Sequence, residues 1–141
     1  MMKTLNIVVL SLSGLALFYA CSMRLINPTG AVFLQTYFEN PANSLAVHID
    51  LLNEIRGVGA VMFLGGIIAL LGAIRVDFRQ TAFVVLMVIF GGVVLGRSLS
   101  LLIDGMPNTD LIRAFVAEVV LGALNLFCLV NSLIQGREGI P

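Results

Sequence analysis

Hydrophobic positions along the chain show neither the alternation of a half-buried strand nor the broad polar stripe of a water-facing helix. They gather instead into four stretches, Leu5 to Met23, Ile49 to Ile74, Thr81 to Ile103 and Leu111 to Ile134. A hydrocarbon core about 30 Å thick is crossed by about 20 helical residues, so each stretch predicts a transmembrane helix. The breaks carry helix-ending and turn chemistry: Asn27-Pro28-Thr29-Gly30, Asn40-Pro41-Ala42-Asn43 and Gly105-Met106-Pro107-Asn108. Arg75 to Arg79 is a short charged turn between the second and third spans, with Asp77 expected as an N-cap. Short connections make sequential helices antiparallel neighbours, which predicts an all-α integral membrane protein, a four-helix up-and-down bundle forming a single domain over residues 1–141.

Composition supports the same solvent. The chain is 59% hydrophobic and 11% charged with a mean hydropathy of +1.04, whereas soluble domains carry about 25% charged residues. A formal net charge of zero and the lack of any Lys/Arg run exclude a nucleic-acid footprint. Lys3 before the first apolar run raises the question of a secretory or lipoprotein signal. Phe18 and Tyr19 are too bulky for such a cleavage site, so this stretch is expected to remain as the first span. Lys3, Arg75, Arg79 and Arg137 fall on one side and Arg24 and Arg113 on the other, which places both termini in the cytoplasm.

The longest connection, Arg24 to His48, holds the apolar and aromatic segment Ala31 to Phe38 between prolines. Too short to span, it is expected to lie as an interfacial or re-entrant cap over the outer end of the bundle between helices 1 and 2.

Ionisable groups within spans cost about 2.5 to 3.5 kcal/mol each at the helix centre, so they normally face inward and pair. Glu54, Arg56, Arg97 and Glu118 are such groups, each roughly 8 to 12 Å inside the outer end of its span at about 1.5 Å per residue. Two acids and two bases at one depth predict mutual pairing. Asn53, Ser100, Asp104 and Asn125 extend this expected polar layer, because Arg97, Ser100 and Asp104 share a helix face, as do Glu118 and Asn125. The layer either fixes helix register alone or lines a cavity in which Arg97 or Arg56 meets the anionic or polar group of a lipid or small amphiphile. A proton relay through Glu54 and Glu118 is a third reading.

Gly92-xxx-Gly96-xxx-Ser100 is a small-residue face that lets another helix approach closely, and Gly57, Gly65 and Gly72 repeat the theme on the second span. Packing within the bundle is the expected use. Docking on another subunit, or on a second copy, is the alternative. Cys21 and Cys128 have no metal-type spacing and read as small hydrophobes. His48 has no second histidine to share a metal, Gly57-Val58-Gly59 lacks the strand of a dinucleotide fingerprint, and Ser98 and Ser100 have no base, so neither a cofactor nor catalysis is expected.

The run Leu52 to Gly57, then Leu95 to Leu101, Asp104-Gly105 and Glu118, resembles the small bacterial four-helix membrane proteins grouped as domain of unknown function 4345. The matching positions are Asn53, Glu54, Arg56, Gly57, Gly96, Arg97, Asp104, Gly105 and Glu118. The resemblance implies four spans and a bacterial inner membrane, and it implies no activity.

Overall fold

The computed structural model describes residues 2–28 and 45–138, with side chains assigned throughout except at 45–48, 50 and 135–138. Among the described residues four long helices and one 3-10 turn account for the architecture, with no strand: α1 (Met2–Ile26), α2 (Leu45–Ile74), the turn Val76–Phe78, α3 (Arg79–Ile103) and α4 (Thr109–Glu138). All four are long and apolar enough to cross a membrane, and the chain is a multi-pass membrane protein. Consecutive helices are neighbours, and α4 closes back onto α1 through a narrower contact.

Each helix runs beyond its apolar stretch, because polar residues that flank a span continue the helix to its cap. Asn108 starts α4 by accepting a hydrogen bond from the Leu111 N–H at 2.9 Å, which satisfies one of the orphan donors of a helix N-terminus. At the end of α3 the Asp104 N–H donates to the Ser100 carbonyl. Gly105 follows at φ +94°, a left-handed conformation that suits glycine after a helix C-terminus. Asp77 is not a cap: it lies inside the 3-10 turn, and α3 begins after Phe78 with no side-chain cap hydrogen bond. The turn winds directly into α3, so no extended residue remains there for a capping side chain. The proposed interfacial segment Ala31 to Phe38 lies outside the described residues, as do the side chains of His48 and Asp50.

One face of α1 is buried, Asn6, Val9, Leu10, Ser13, Gly14, Leu17 and Cys21, at the three- and four-residue spacing of a single helix stripe. On α3 the inward stripe is Ala82, Phe83, Leu86 and Phe90. The opposite surfaces are as apolar as the core, with Val88 at 71% and Leu95 at 73% exposure. Only lipid chains tolerate a surface of that kind over this length.

The closest helix contact is between α1 and α2. A Cβ on Gly66 would lie 3.1 Å from both the Gly14 carbonyl oxygen and the Phe18 nitrogen, and a Cβ on Gly14 would lie 2.8 Å from Leu70 Cγ. Two glycines therefore face each other where the backbones meet, the geometry that gives helices van der Waals contact in lipid. Gly65 also sits at an interface, against Ile89 of α3, and Gly72 meets Ala82. Gly57, Gly92 and Gly96 do not pack against another helix: a Cβ at any of them would meet nothing within 4 Å. Gly92 and Gly96 continue the α3 stripe of Val85 and Ile89 at three- and four-residue spacing, but there the neighbouring helix is out of reach, and with Gly57 they leave an open groove between α2 and α3.

α4 is the least embedded helix, with 11% of its span buried against 39% for α1. Between lipid-exposed helices the hydrophobic effect provides no drive for association. Polar anchors therefore carry much of its docking. One is Asn125, fully buried, whose Nδ2 donates to Ser13 Oγ of α1 and to the Leu121 carbonyl, both at 2.8 Å. Asn6, Ser13 and Asn125 are the buried polar residues among those described, and Asn125 pairs with Ser13 rather than extending the layer expected around Arg97 and Glu118. Neutral amides and hydroxyls can be taken this deep at modest cost, whereas charges stay near the span ends. Ser13→Ala is expected to lower stability by about 0.6 to 1.7 kcal/mol, read as a shift in unfolding midpoint in mixed detergent micelles.

Candidate functional site

Charge gathers on all four helices in the half of the bundle that holds the C-terminal ends of α1 and α3. Arg97 lies six residues before the end of α3, about 9 Å along the axis, and faces Glu118 of α4. Arg97 Nε approaches Glu118 Oε2 at 2.7 Å, and Nη2 donates to Oε1 at 3.2 Å. The Nε contact is ionic rather than a directed hydrogen bond, since its N–H is not aligned on Oε2. Both side chains are mostly buried, at 22% and 14% exposure. Two-point contact of a planar guanidinium with a carboxylate holds both groups in one geometry.

Mutual pairing of all four charges does not occur. Arg56 is exposed and donates from Nε to the Leu25 carbonyl at 3.4 Å, at the C-terminal end of α1. There it complements the negative end of that helix. Positions 54 and 56 are about 200° apart on a helix, so both cannot face the bundle centre. Glu54 is exposed and makes no hydrogen bond or ion pair among the described residues. Ser100 Oγ donates to Asp104 Oδ2 at 2.7 Å in an exposed local pair at the end of α3. Asn53 is exposed on α2. Asn125 lies seven residues deeper than Glu118 on α4, so its contact with Ser13 is a separate polar layer.

Arg24 belongs to this site although the sequence marked it only as a flanking charge. Its stem lies over Gly59, where a Cβ would come within 3.1 Å of Arg24 Cβ. Its Nη1 reaches Cys21 Sγ at 3.7 Å and Met62 Sδ at 3.5 Å. The signal available beforehand was position: Arg24 is two residues from the end of α1, within reach of the interior for a side chain of that length.

Two clefts meet at Arg97. One, of about 380 Å³, lies over α2 and α3 and is lined by Arg24, Glu54, Met62, Val93, Gly96 and Arg97 among others. The other, of about 330 Å³, lies between the C-terminal end of α3 and the N-terminal end of α4 and includes Ser100, Met106, Leu111 and Phe115. Apolar walls with a few convergent charges are the usual make-up of a small-molecule or lipid site. No group of three or more His, Cys, Asp or Glu side chains that could hold a metal occurs among the described residues.

A family model described as domain of unknown function (DUF4345) matches residues 6–129, from the first turns of α1 to the last third of α4. No curated protein and no solved structure matches the chain.

Proposed function

The chain belongs to the family described as domain of unknown function (DUF4345), and since that description carries no activity we propose from its own residues that it binds a lipid or small amphiphile in the outer half of the bundle. The observation that carries this reading is the position of Arg97. Glu118 fixes its guanidinium, and the same side chain lines both outer clefts, whose walls are otherwise mostly apolar. An amphiphile offers the matching halves: an anionic or polar head for the arginine and an apolar body for the walls. The membrane is a bacterial inner one in this reading, and the excess of Lys3, Arg75, Arg79 and Arg137 over Arg24 and Arg113 supports both termini in the cytoplasm.

Thermal unfolding of purified protein with added lipids tests this. Wild type is expected to gain several degrees with an amphiphile bearing a phosphate or carboxylate. The Arg97→Gln/Glu118→Gln double variant, which keeps a hydrogen-bonding pair without charge, is expected to gain much less. Equal gains in both proteins would refute the reading.

A second reading is an accessory subunit that docks on a larger membrane complex through the face of α3 bearing Gly92 and Gly96. The observation in its favour is that these glycines are uncovered within the chain. Copurification of a partner in mild detergent, lost with Gly96→Leu, is the result that would favour it.

A further inference from the structure

The cleft over α2 and α3 continues toward the middle of the membrane. A second depression of about 520 Å³ shares Glu54, Val58, Met62 and Val93 with it and runs on past Gly57 and Gly92 to Val61, Val88 and Ile89. The two are one groove. Its length follows from the helix rise: nine residues separate Arg97 from Val88, which is about 13 Å. Glycine at 57, 92 and 96, where an added Cβ would meet nothing within 4 Å, makes the floor, and Val58, Val61, Val88 and Ile89 are among the apolar walls.

The ends of the groove differ in chemistry. At the outer end stand two arginines, Arg24 and Arg97, and one carboxylate, Glu54. Deeper, only apolar side chains and glycine backbone follow beyond Asn53 and Glu54. Glu54 has no ion pair among the described residues, and a carboxylate facing an open groove within a membrane span calls for a cationic partner. A docking helix would press its apolar side on these charges, whereas a phospholipid presents charge at one end and hydrocarbon at the other.

Resting on the amphiphile reading above, we propose that the groove holds one acyl chain of a zwitterionic phospholipid with a primary ammonium headgroup. Its phosphate lies against Arg24 and Arg97, its ammonium against Glu54, and its chain over Gly57, Gly92 and Gly96. The glycines thereby act as a chain channel, and Glu54 selects the headgroup.

Native mass spectrometry in mild detergent, with dioleoyl phosphatidylethanolamine and dioleoyl phosphatidylglycerol as competing probes, tests each part. Wild type is expected to retain the ethanolamine lipid in preference by tenfold or more. Glu54→Gln is expected to abolish the preference. Gly92→Leu, which puts a side chain into the groove where an added Cβ meets nothing within 4 Å, is expected to weaken binding of both lipids tenfold or more while its lipid-free melting temperature stays at the wild-type value. Equal retention of the two lipids by wild type, or undiminished binding by Gly92→Leu, overturns the proposal and leaves the broader amphiphile reading standing. If neither these lipids nor any other amphiphile binds wild type, both fall. A dimer of wild type that Gly92→Leu dissolves would make the groove a helix-docking face and also overturn the proposal.

Discussion

Arg97→Ala is expected to destabilise the bundle by about 3 kcal/mol, the low end of the range for removing one partner of a buried ion pair. The low end applies because 22% of Arg97 and 14% of Glu118 remain exposed. The loss comes chiefly from Glu118, which would be left as an isolated carboxylate within a membrane span. Replacing both partners, as in Arg97→Gln/Glu118→Gln, removes that penalty and is expected to cost about 1 kcal/mol or less, since neither position is then left charged. Reversible unfolding in mixed detergent micelles, run as a double-mutant cycle, measures the difference. Near-zero losses for both the single and the double variant would show that the pair does not hold α4. With so little of α4 buried, such a result would shift its docking to Asn125 and to the contact of Gly122 with Phe90.

The second large effect is at Gly66. Gly66→Leu is expected to destabilise by about 3 kcal/mol, the upper end for overpacking, because the added Cβ meets backbone atoms at 3.1 Å and Leu17 Cβ at 3.2 Å. Backbone cannot rotate aside as a side chain can, so α1 must separate from α2. The outcome is read as a drop in melting temperature alongside Gly92→Leu, for which a near-zero change is expected. If Gly66→Leu melts with wild type, the α1/α2 contact is not the close one described above.

These two sites divide the work between the middle of the bundle and its charged end. At mid-membrane, glycine contact brings α1 and α2 together. Nearer the C-terminal end of α3, Arg97 and Glu118 tie α3 to α4 and at the same time set one guanidinium on the walls of two clefts. A register-fixing pair and a ligand-facing pair are therefore not alternatives here. The carboxylate partner orients the arginine for either purpose.

Residue chemistry and chain order alone determined the number of spans, their approximate limits and the helical class, because lipid requires about 20 consecutive apolar residues per crossing with the backbone hydrogen bonds closed within each helix. The prominence of Arg97 and Glu118 was also legible, since a charge inside an apolar run is costly wherever the run lies. Three features were decided only by the rotation of each helix about its axis. Gly66 with Gly14, and not Gly92 with Gly96, form the close backbone contact, because Gly66 is turned onto the α1 backbone whereas no neighbouring atom lies within 4 Å of a Cβ at Gly92 or Gly96. Arg56 turned to the end of α1 and left Glu54 on the groove, since two residues two apart on a helix face different ways. Ser13 met Asn125 across 112 positions of sequence, a pairing that no local pattern encodes, because four apolar helices present nearly equivalent faces until packing chooses among them.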